Sequence, residues 1–256
     1  MRVVKSTYYS NWGDLFGYKI AQYILPFAAK APFLTPNIIS ILSFLLFFSG
    51  SILLLLPYPQ KALGGILILA GYVGDDLDGQ FARYTKKTSV IGDYLDKVLD
   101  IIKIFIITFF AGLSIFLITS NIAYLFFGFI AAFFFMLRYY IKLETMFSAL
   151  SRDKNYLEKS AKKRTELEKK MDVLYAKEPS SVQEFISIFW VKMRTIFLVD
   201  EAEFAIFIAV GSFVNRVGLA LLIIAVAQVI IAFWRFYERG KQLKENSPKL
   251  FLPMRK

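Results

Sequence analysis

From Val217 to Trp234 the chain carries no charged side chain, and the segments 36–56 and 104–118 are equally bare. Runs of this kind approach the roughly 20 residues that a helix needs to cross a bilayer. In lipid a segment must satisfy its own backbone, so helices follow. With 256 residues, 57% of them hydrophobic and a mean hydropathy of +0.52, the chain is too short for a soluble core of that apolarity. The fold class expected is all-α: a polytopic membrane protein with six transmembrane helices, an N-terminal interfacial amphipathic helix and a cytoplasmic helical insertion.

Segment by segment, residues 1–34 form an interfacial amphipathic region. In it Trp12, Leu15, Phe16, Ile20, Tyr23, Ile24 and Phe27 share a stripe, with Lys19, Gln22 and Lys30 off it. Residues 35–150 hold spans one to four, expected near 35–56, 62–83, 90–118 and 122–141. Thr35 or Pro36 starts the first, and Pro57-Tyr58-Pro59 turns the chain after it. Residues 151–199 are polar and helix-prone, with i,i+4 pairs Glu158–Lys162 and Glu166–Lys170. Two docking stripes follow there: Leu167, Met171, Leu174, Tyr175, and then Val182, Phe185, Ile186, Phe189, Met193, Phe197. Residues 200–256 hold a short fifth span (202–214), a sixth (217–237) and a basic tail. No cleavable signal peptide is expected at the N-terminus.

Charge fixes an expected orientation. With the N-terminus inside, the external loops carry only Lys61 and Arg216, and nearly every other basic residue faces the cytoplasm. The net charge of +11 then reflects loops facing anionic lipid, not a nucleic-acid partner. The expected location is the cytoplasmic membrane, multi-pass, with both termini and the active site on the cytoplasmic side.

Against this background the stretch GYVGDDLDGQFAR, residues 71–83, stands out. Asp75, Asp78, Gly79, Ala82 and Arg83 keep to one helical face, as do Gly92, Asp96 and Asp100 on the next span. Two antiparallel spans joined by a short loop bring Asp75, Asp78, Asp96 and Asp100 to one pocket at the membrane's cytoplasmic edge. The chain has no histidine and no cysteine, so acid–base or metal chemistry falls to carboxylates. Clustered carboxylates in a low dielectric repel one another, and a divalent cation relieves them. Oxygen ligands favour Mg²⁺, Mn²⁺ or Ca²⁺. Arg83 offers a fork for phosphate, while Gly79, Ala82 and Gly92 leave room beside the backbone. The expectation is a metal-dependent phosphoryl-transfer site.

The pattern Asp75-x2-Asp78-Gly79-x2-Ala82-Arg83-x8-Gly92-x3-Asp96-x3-Asp100 resembles the complete signature of the CDP-alcohol phosphotransferase family. The resemblance extends to six spans, the interfacial helix and the Thr35-Pro36-Asn37 start. Only the 151–199 segment departs from it, being longer than usual. It implies transfer of a phosphatidyl-like group from a CDP-linked lipid to the hydroxyl of a small polar alcohol such as inositol phosphate, glycerol phosphate or serine, releasing CMP in phospholipid biosynthesis. A soluble CDP-alcohol donor with a lipid acceptor uses the same motif. By resemblance Asp75, Asp78 and Asp96 ligate Mg²⁺ or Mn²⁺, two ions in all, and Asp100 completes the site as general base. Asn37, Gly79, Ala82, Arg83 and Gly92 frame the donor, and a homodimer is implied. For that dimer no small-xxx-small seam stands out in the sequence.

Other readings compete. Asp76 points away from the Asp75/Asp78 face, and Asp93 lies outside the signature. The four aspartates can pair with Arg83, Lys97 or Lys103, but pairing alone accounts for neither the glycines nor the spacing. An intramembrane prenyltransferase wants an aspartate where Gly79 stands. A cation transporter wants its carboxylates at mid-membrane. Arg138, Lys142, Lys192 and Arg194 are candidates for a phosphorylated acceptor, with membrane anchoring the more favoured role. Glu201 and Glu203 are ambiguous.

Overall fold

The computed structural model describes residues 12–159, 162 and 199–244. Seven helices are named among them: α1 (Trp12–Ala28), α2 (Pro36–Leu53), α3 (Gln60–Tyr84), α4 (Val90–Thr119), α5 (Ala123–Arg152), α6 (Glu201–Phe213) and α7 (Val217–Lys244). No strand occurs among the described residues. The chain divides into two compact units, residues 11–134 with 199–229, and residues 1–10 with 135–198 and 230–256.

Four helices, α2, α4, α5 and α7, are long and apolar enough to cross a membrane, which marks a multi-pass membrane protein. α3 is longer than α2, but its far end holds the aspartates of the 71–83 stretch. α6 has 13 residues, about 20 Å at the helical rise, against roughly 30 Å of hydrocarbon. One side of it is protein-covered, with Phe204, Ala205, Ile208 and Ala209 fully buried, while Val210 and Phe213 are exposed.

Helix starts follow from local chemistry. Thr35 caps α2, its hydroxyl accepting from the Ile38 N–H at 3.3 Å, and Pro36 occupies the first turn, where a missing N–H costs nothing. Ser89 caps α4 by accepting from the Gly92 N–H at 3.0 Å. Asp200 and Glu203 form a reciprocal capping box on α6, the Glu203 carboxylate accepting from the Asp200 N–H at 2.9 Å. Glu203 therefore belongs to the scaffold.

The unit bearing the aspartates is organised around α3, which packs on α2, α6 and α1; α4 packs on α2 and α6. The α2–α3 contact is lined by small residues. A Cβ on Gly50 would meet the Gly64 carbonyl oxygen at 2.6 Å, and one on Gly71 would meet Phe47 N and Ser43 O at 2.7 Å. Backbones can approach this closely only where side chains are absent, the usual membrane device for holding helices without a hydrophobic drive. Small residues thus do form a seam, within the chain, at seven-residue intervals (Ser43 and Gly50; Gly64 and Gly71) instead of the spacing sought for a dimer. Large side chains face outward: Ile41, Leu45 and Phe105 are each about half exposed, as lipid-facing positions should be.

α1 corrects part of the sequence reading. Tyr23 and Phe27 are strongly exposed, with Phe16 and Ile24 less so. Ile20, expected on the same stripe, instead packs with Ala21, Leu25 and Ala28 against Ile39, Val73, Leu77 and Phe81. The helix has two apolar faces, and the second docks on α3. Gly17 permits this approach beside Tyr72 and Asp76.

In the other unit Arg138 lies over Phe135 and Lys142 over Tyr139, each 5.7 Å from the ring centroid. Arg152 donates to the Leu243 carbonyl at 3.1 Å. The pair Glu158–Lys162 forms at 2.8 Å on the surface. The other features expected in 151–199, including Lys192, Arg194, the second ion pair and both stripes, lie outside the described residues.

Candidate active site

Three helices converge on the aspartates, and each positions its side chains for a local reason. On α3, Asp75 and Asp78 are one turn apart, directly beyond the tight Gly71 contact with α2. On α4, Asp96, Asp100, Lys103 and Ile107 recur at helical spacing, so one stripe passes from polar to apolar as the helix enters the core. α2 contributes Ser40, whose hydroxyl lies 2.5 Å from Asp78 Oδ2 and 3.0 Å from the Pro36 carbonyl oxygen.

Asp75, Asp78 and Asp96 each offer a carboxylate oxygen, and the three atoms lie within 4.8 Å of one another. Oxygens facing each other across an octahedral Mg²⁺ stand about 4.2 Å apart, and across Ca²⁺ about 4.6–5.2 Å. The donor set therefore suits a hard divalent cation with little movement. Without a cation, each pair of like charges at that distance costs about 3 kcal/mol at an effective dielectric near 20.

Two lysines share that burden. Lys103, buried at 7% exposure, donates to Asp75 Oδ1 and reaches Asp100 Oδ1 at 3.2 Å. Lys97 lies 2.7 Å from Asp96 Oδ2 and 3.9 Å from Asp100 Oδ2. The ion pairing considered as an alternative to a metal site is thus present through Lys97 and Lys103, alongside the carboxylate triad. Asp100 stands outside the triad, buried at 5% exposure and facing the two ammonium groups. Glu201 at the start of α6 lies within electrostatic reach of both lysines.

The remaining expected residues fall around this centre. The Arg83 guanidinium folds back over Gly79, 3.4 Å from where a Cβ would sit, and is itself exposed. Ala82 is half-buried between them in sequence. Gly92 spends its N–H on the Ser89 cap, so here it serves the start of α4. Asn37 is exposed in the first turn of α2, one turn before Ser40. Asp76 turns to α1 beside Gly17, and Asp93 is exposed. Ser40 is the residue that sequence reading missed. Its signal was available: it follows Asn37 by one helical turn and shares its face.

Known proteins resemble this chain in sequence and in fold. The sequence profile of the CDP-alcohol phosphatidyltransferase family matches residues 33–234, which include every residue of this centre. A bifunctional IPC transferase and DIPP synthase of Aquifex aeolicus (strain VF5) is 39% identical over 82 residues, 32% of this chain. That match spans 18% of the Aquifex protein's length. The crystal structure of Mycobacterium tuberculosis phosphatidylinositol phosphate synthase with CDP-DAG bound superposes with a TM-score of 0.55. It covers 88% of this chain and 94% of that one at 17% identity, a likeness of fold.

Proposed function

Because the chain belongs to the CDP-alcohol phosphatidyltransferase family, we propose that it transfers a phosphatidyl-like group from a CDP-linked lipid to the hydroxyl of a small polar alcohol, releasing CMP. The observation that carries this reading is the Asp75, Asp78, Asp96 oxygen cluster, set on the family's span with Asp100 beside it. A lipid donor is favoured because the solved fold relative holds CDP-DAG and because the aspartates end an apolar helix.

In this reading Asp75, Asp78 and Asp96 hold Mg²⁺ or Mn²⁺. The bound cations supply charge neutralisation for the diphosphate and stabilise the departing phosphate oxygen. Arg83, with Gly79 and Ala82 beneath it, grips the donor, and Asn37 and Gly92 line its approach. Ser40 fixes one Asp78 oxygen and leaves the other for ligation. Asp100 accepts the proton of the acceptor hydroxyl. That oxygen then bonds to the lipid-side phosphorus as the bridging P–O bond breaks, and the electron pair leaves with CMP. No covalent enzyme intermediate is needed. The same reading takes six spans, with α3 and α6 completing the four apolar ones, an interfacial α1, a homodimer and a site facing the cytoplasm. Arg138, Lys142, Lys192 and Arg194 are its candidates for a phosphorylated acceptor.

The test is CMP release by the purified chain in detergent with Mg²⁺ or Mn²⁺. CDP-diacylglycerol and, separately, CDP-choline and CDP-ethanolamine serve as donors, each against a panel of acceptor alcohols. Metal-dependent release from CDP-diacylglycerol that Asp100→Asn abolishes supports the reading. Release from CDP-choline or CDP-ethanolamine alone reverses donor and acceptor. Absence of release together with absence of CDP binding sinks it.

A further inference from the structure

Lys61 stands in the first turn of α3, fourteen residues before Asp75 and so about 21 Å from it along the helix. It is 2% exposed. Among the described residues its ammonium makes no hydrogen bond and no ion pair. The other buried charged residues of this unit all have partners: Asp78 has Ser40, Asp100 and Lys103 have each other, and Glu203 has the Asp200 N–H.

Spacing gives the direction of this side chain. Gly64, three residues on, faces α2 at Gly50 and Leu53, and Gly65, four residues on, faces α6 at Ala209 and Ser212. Lys61 points between them, toward the junction of α2, α3 and α6, and helical side chains lean toward the N-terminus, which carries the ammonium to the end of that junction. The described segments at this end offer no counter-charge, since residues 15–74, 101–143 and 204–237 contain no aspartate or glutamate. The last carbonyls of α2 and α6 are engaged by their own backbone: Ser51, Ile52 and Leu53 accept from Leu54, Leu55 and Leu56, and Gly211 and Ser212 accept from Arg216 and Asn215. Arg216, exposed in the turn after α6, adds a second positive charge at the same end.

An ammonium withdrawn from water is costly unless an anion meets it. The anion that a bilayer supplies at the ends of its spans is the lipid phosphodiester, and basic pockets between helices bind headgroups. Exposed Ile66 on α3 and Phe213 on α6 provide apolar surface for acyl chains. We propose that Lys61, at the α2–α3–α6 junction, forms a phosphate-binding site separate from the aspartate centre, filled by a phospholipid headgroup that ties the three helices together.

The full chain, purified and delipidated in dodecyl maltoside, is unfolded thermally under far-ultraviolet circular dichroism with three additives. These are dioleoyl phosphatidylglycerol, dioleoylglycerol (the same chains without phosphate), and inorganic phosphate at matched ionic strength. Phosphatidylglycerol is expected to raise the melting temperature by about 3 °C or more at saturation, and dioleoylglycerol is not. The shift is expected to vanish in Lys61→Met and to persist in Asp78→Asn. If Lys61→Met does not fold, Lys61→Gln is read in the same way. Inorganic phosphate that reproduces the Lys61-dependent shift upholds the site and makes a free anion its ligand. Absence of any shift in the wild-type chain overturns the proposal, as does an equal shift from dioleoylglycerol or a shift that survives loss of Lys61. A shift that vanishes in Asp78→Asn overturns it too, because the lipid then sits at the aspartates.

Discussion

Gly71→Ala adds one methyl at the point where α3 is pressed against α2. The new Cβ would stand 2.7 Å from Phe47 N and Ser43 O and 2.8 Å from Phe47 Cβ. All but the last are backbone atoms, which no rotamer change can move aside. Ordinary contact begins near 3.4 Å, so the helices must part by about 0.7 Å, an overpacking that typically costs ~1–3 kcal/mol. For a chain of this size roughly 2–4 °C of melting temperature follows each kcal/mol, giving a fall of ~2–12 °C in detergent. Asp75 lies one turn beyond Gly71, and Ser40 approaches Asp78 from the opposing helix. A shift of that size moves the α2 and α3 groups relative to each other and should lower CMP release by ~10-fold or more, since about 1 Å of misplacement can cost 10²-fold. Gly240→Ala is the control: nothing lies within 4 Å of its Cβ, and alanine gains up to ~1 kcal/mol of helix propensity. Thermal unfolding followed by far-ultraviolet circular dichroism reads stability, and CMP release reads the site. If Gly71→Ala matches Gly240→Ala in both, the close backbone contact is not what aligns the aspartates.

Three further outcomes are expected. Asp78→Asn removes a triad charge while keeping an amide oxygen that can accept from Ser40, so Mn²⁺ affinity should drop by at least ~100-fold, as one carboxylate is worth several kcal/mol to a divalent ion in low dielectric; isothermal titration with unchanged affinity would contradict the triad. Ser40→Ala should lower Mn²⁺ affinity by a smaller factor, ~10-fold, from the loss of one charge-assisted hydrogen bond of about 1.5 kcal/mol; an effect on stability with none on metal binding would make Ser40 purely structural. Thr35→Ala should lower stability by about 1 kcal/mol through the lost cap, and a chain melting at the wild-type temperature would show that the α2 start is held by its packing instead.

Much of this architecture was legible because membrane and chemistry both leave local marks. The starts of α2 and α4 came from Thr35-Pro36 and from the end of the polar loop, and each helix begins within a residue or so of the expected position. Helices α5 and α7 outrun the spans expected on them. Those spans stop at Ile141 and Tyr237, among the first charged residues, and the helices run on to Arg152 and Lys244. A charged residue ends the stay in hydrocarbon; it does not end a helix, because Lys, Arg and Glu are good helix formers. α6 ends where expected, since the chain turns through Asn215 in the left-handed region. The aspartate faces were legible from spacing alone. The partition among them was not: helical periodicity gives a direction around one axis, while the Lys103 bridge and the isolation of Asp100 depend on how far apart α3 and α4 stand. The α2–α3 seam was hidden likewise, because it exists only between two helices; the place of Ser40 on the Asn37 face was legible, but its bond to Asp78 was not.

The glycine-lined contact between α2 and α3 also bears on how such a chain can diverge. Every replacement of glycine is larger, so a point mutation at Gly50, Gly64 or Gly71 adds volume where there is none to give. On the opposite side of α2, Ile38, Ile41, Leu42, Leu45 and Leu46 face outward and can drift among apolar residues at little cost. Variation in a descendant lineage should therefore run along one side of the helix and stall on the other. A substrate preference that needs α2 to tilt can arise only after a compensating loss of bulk on α3, which confines this centre to changes made by its more distant walls.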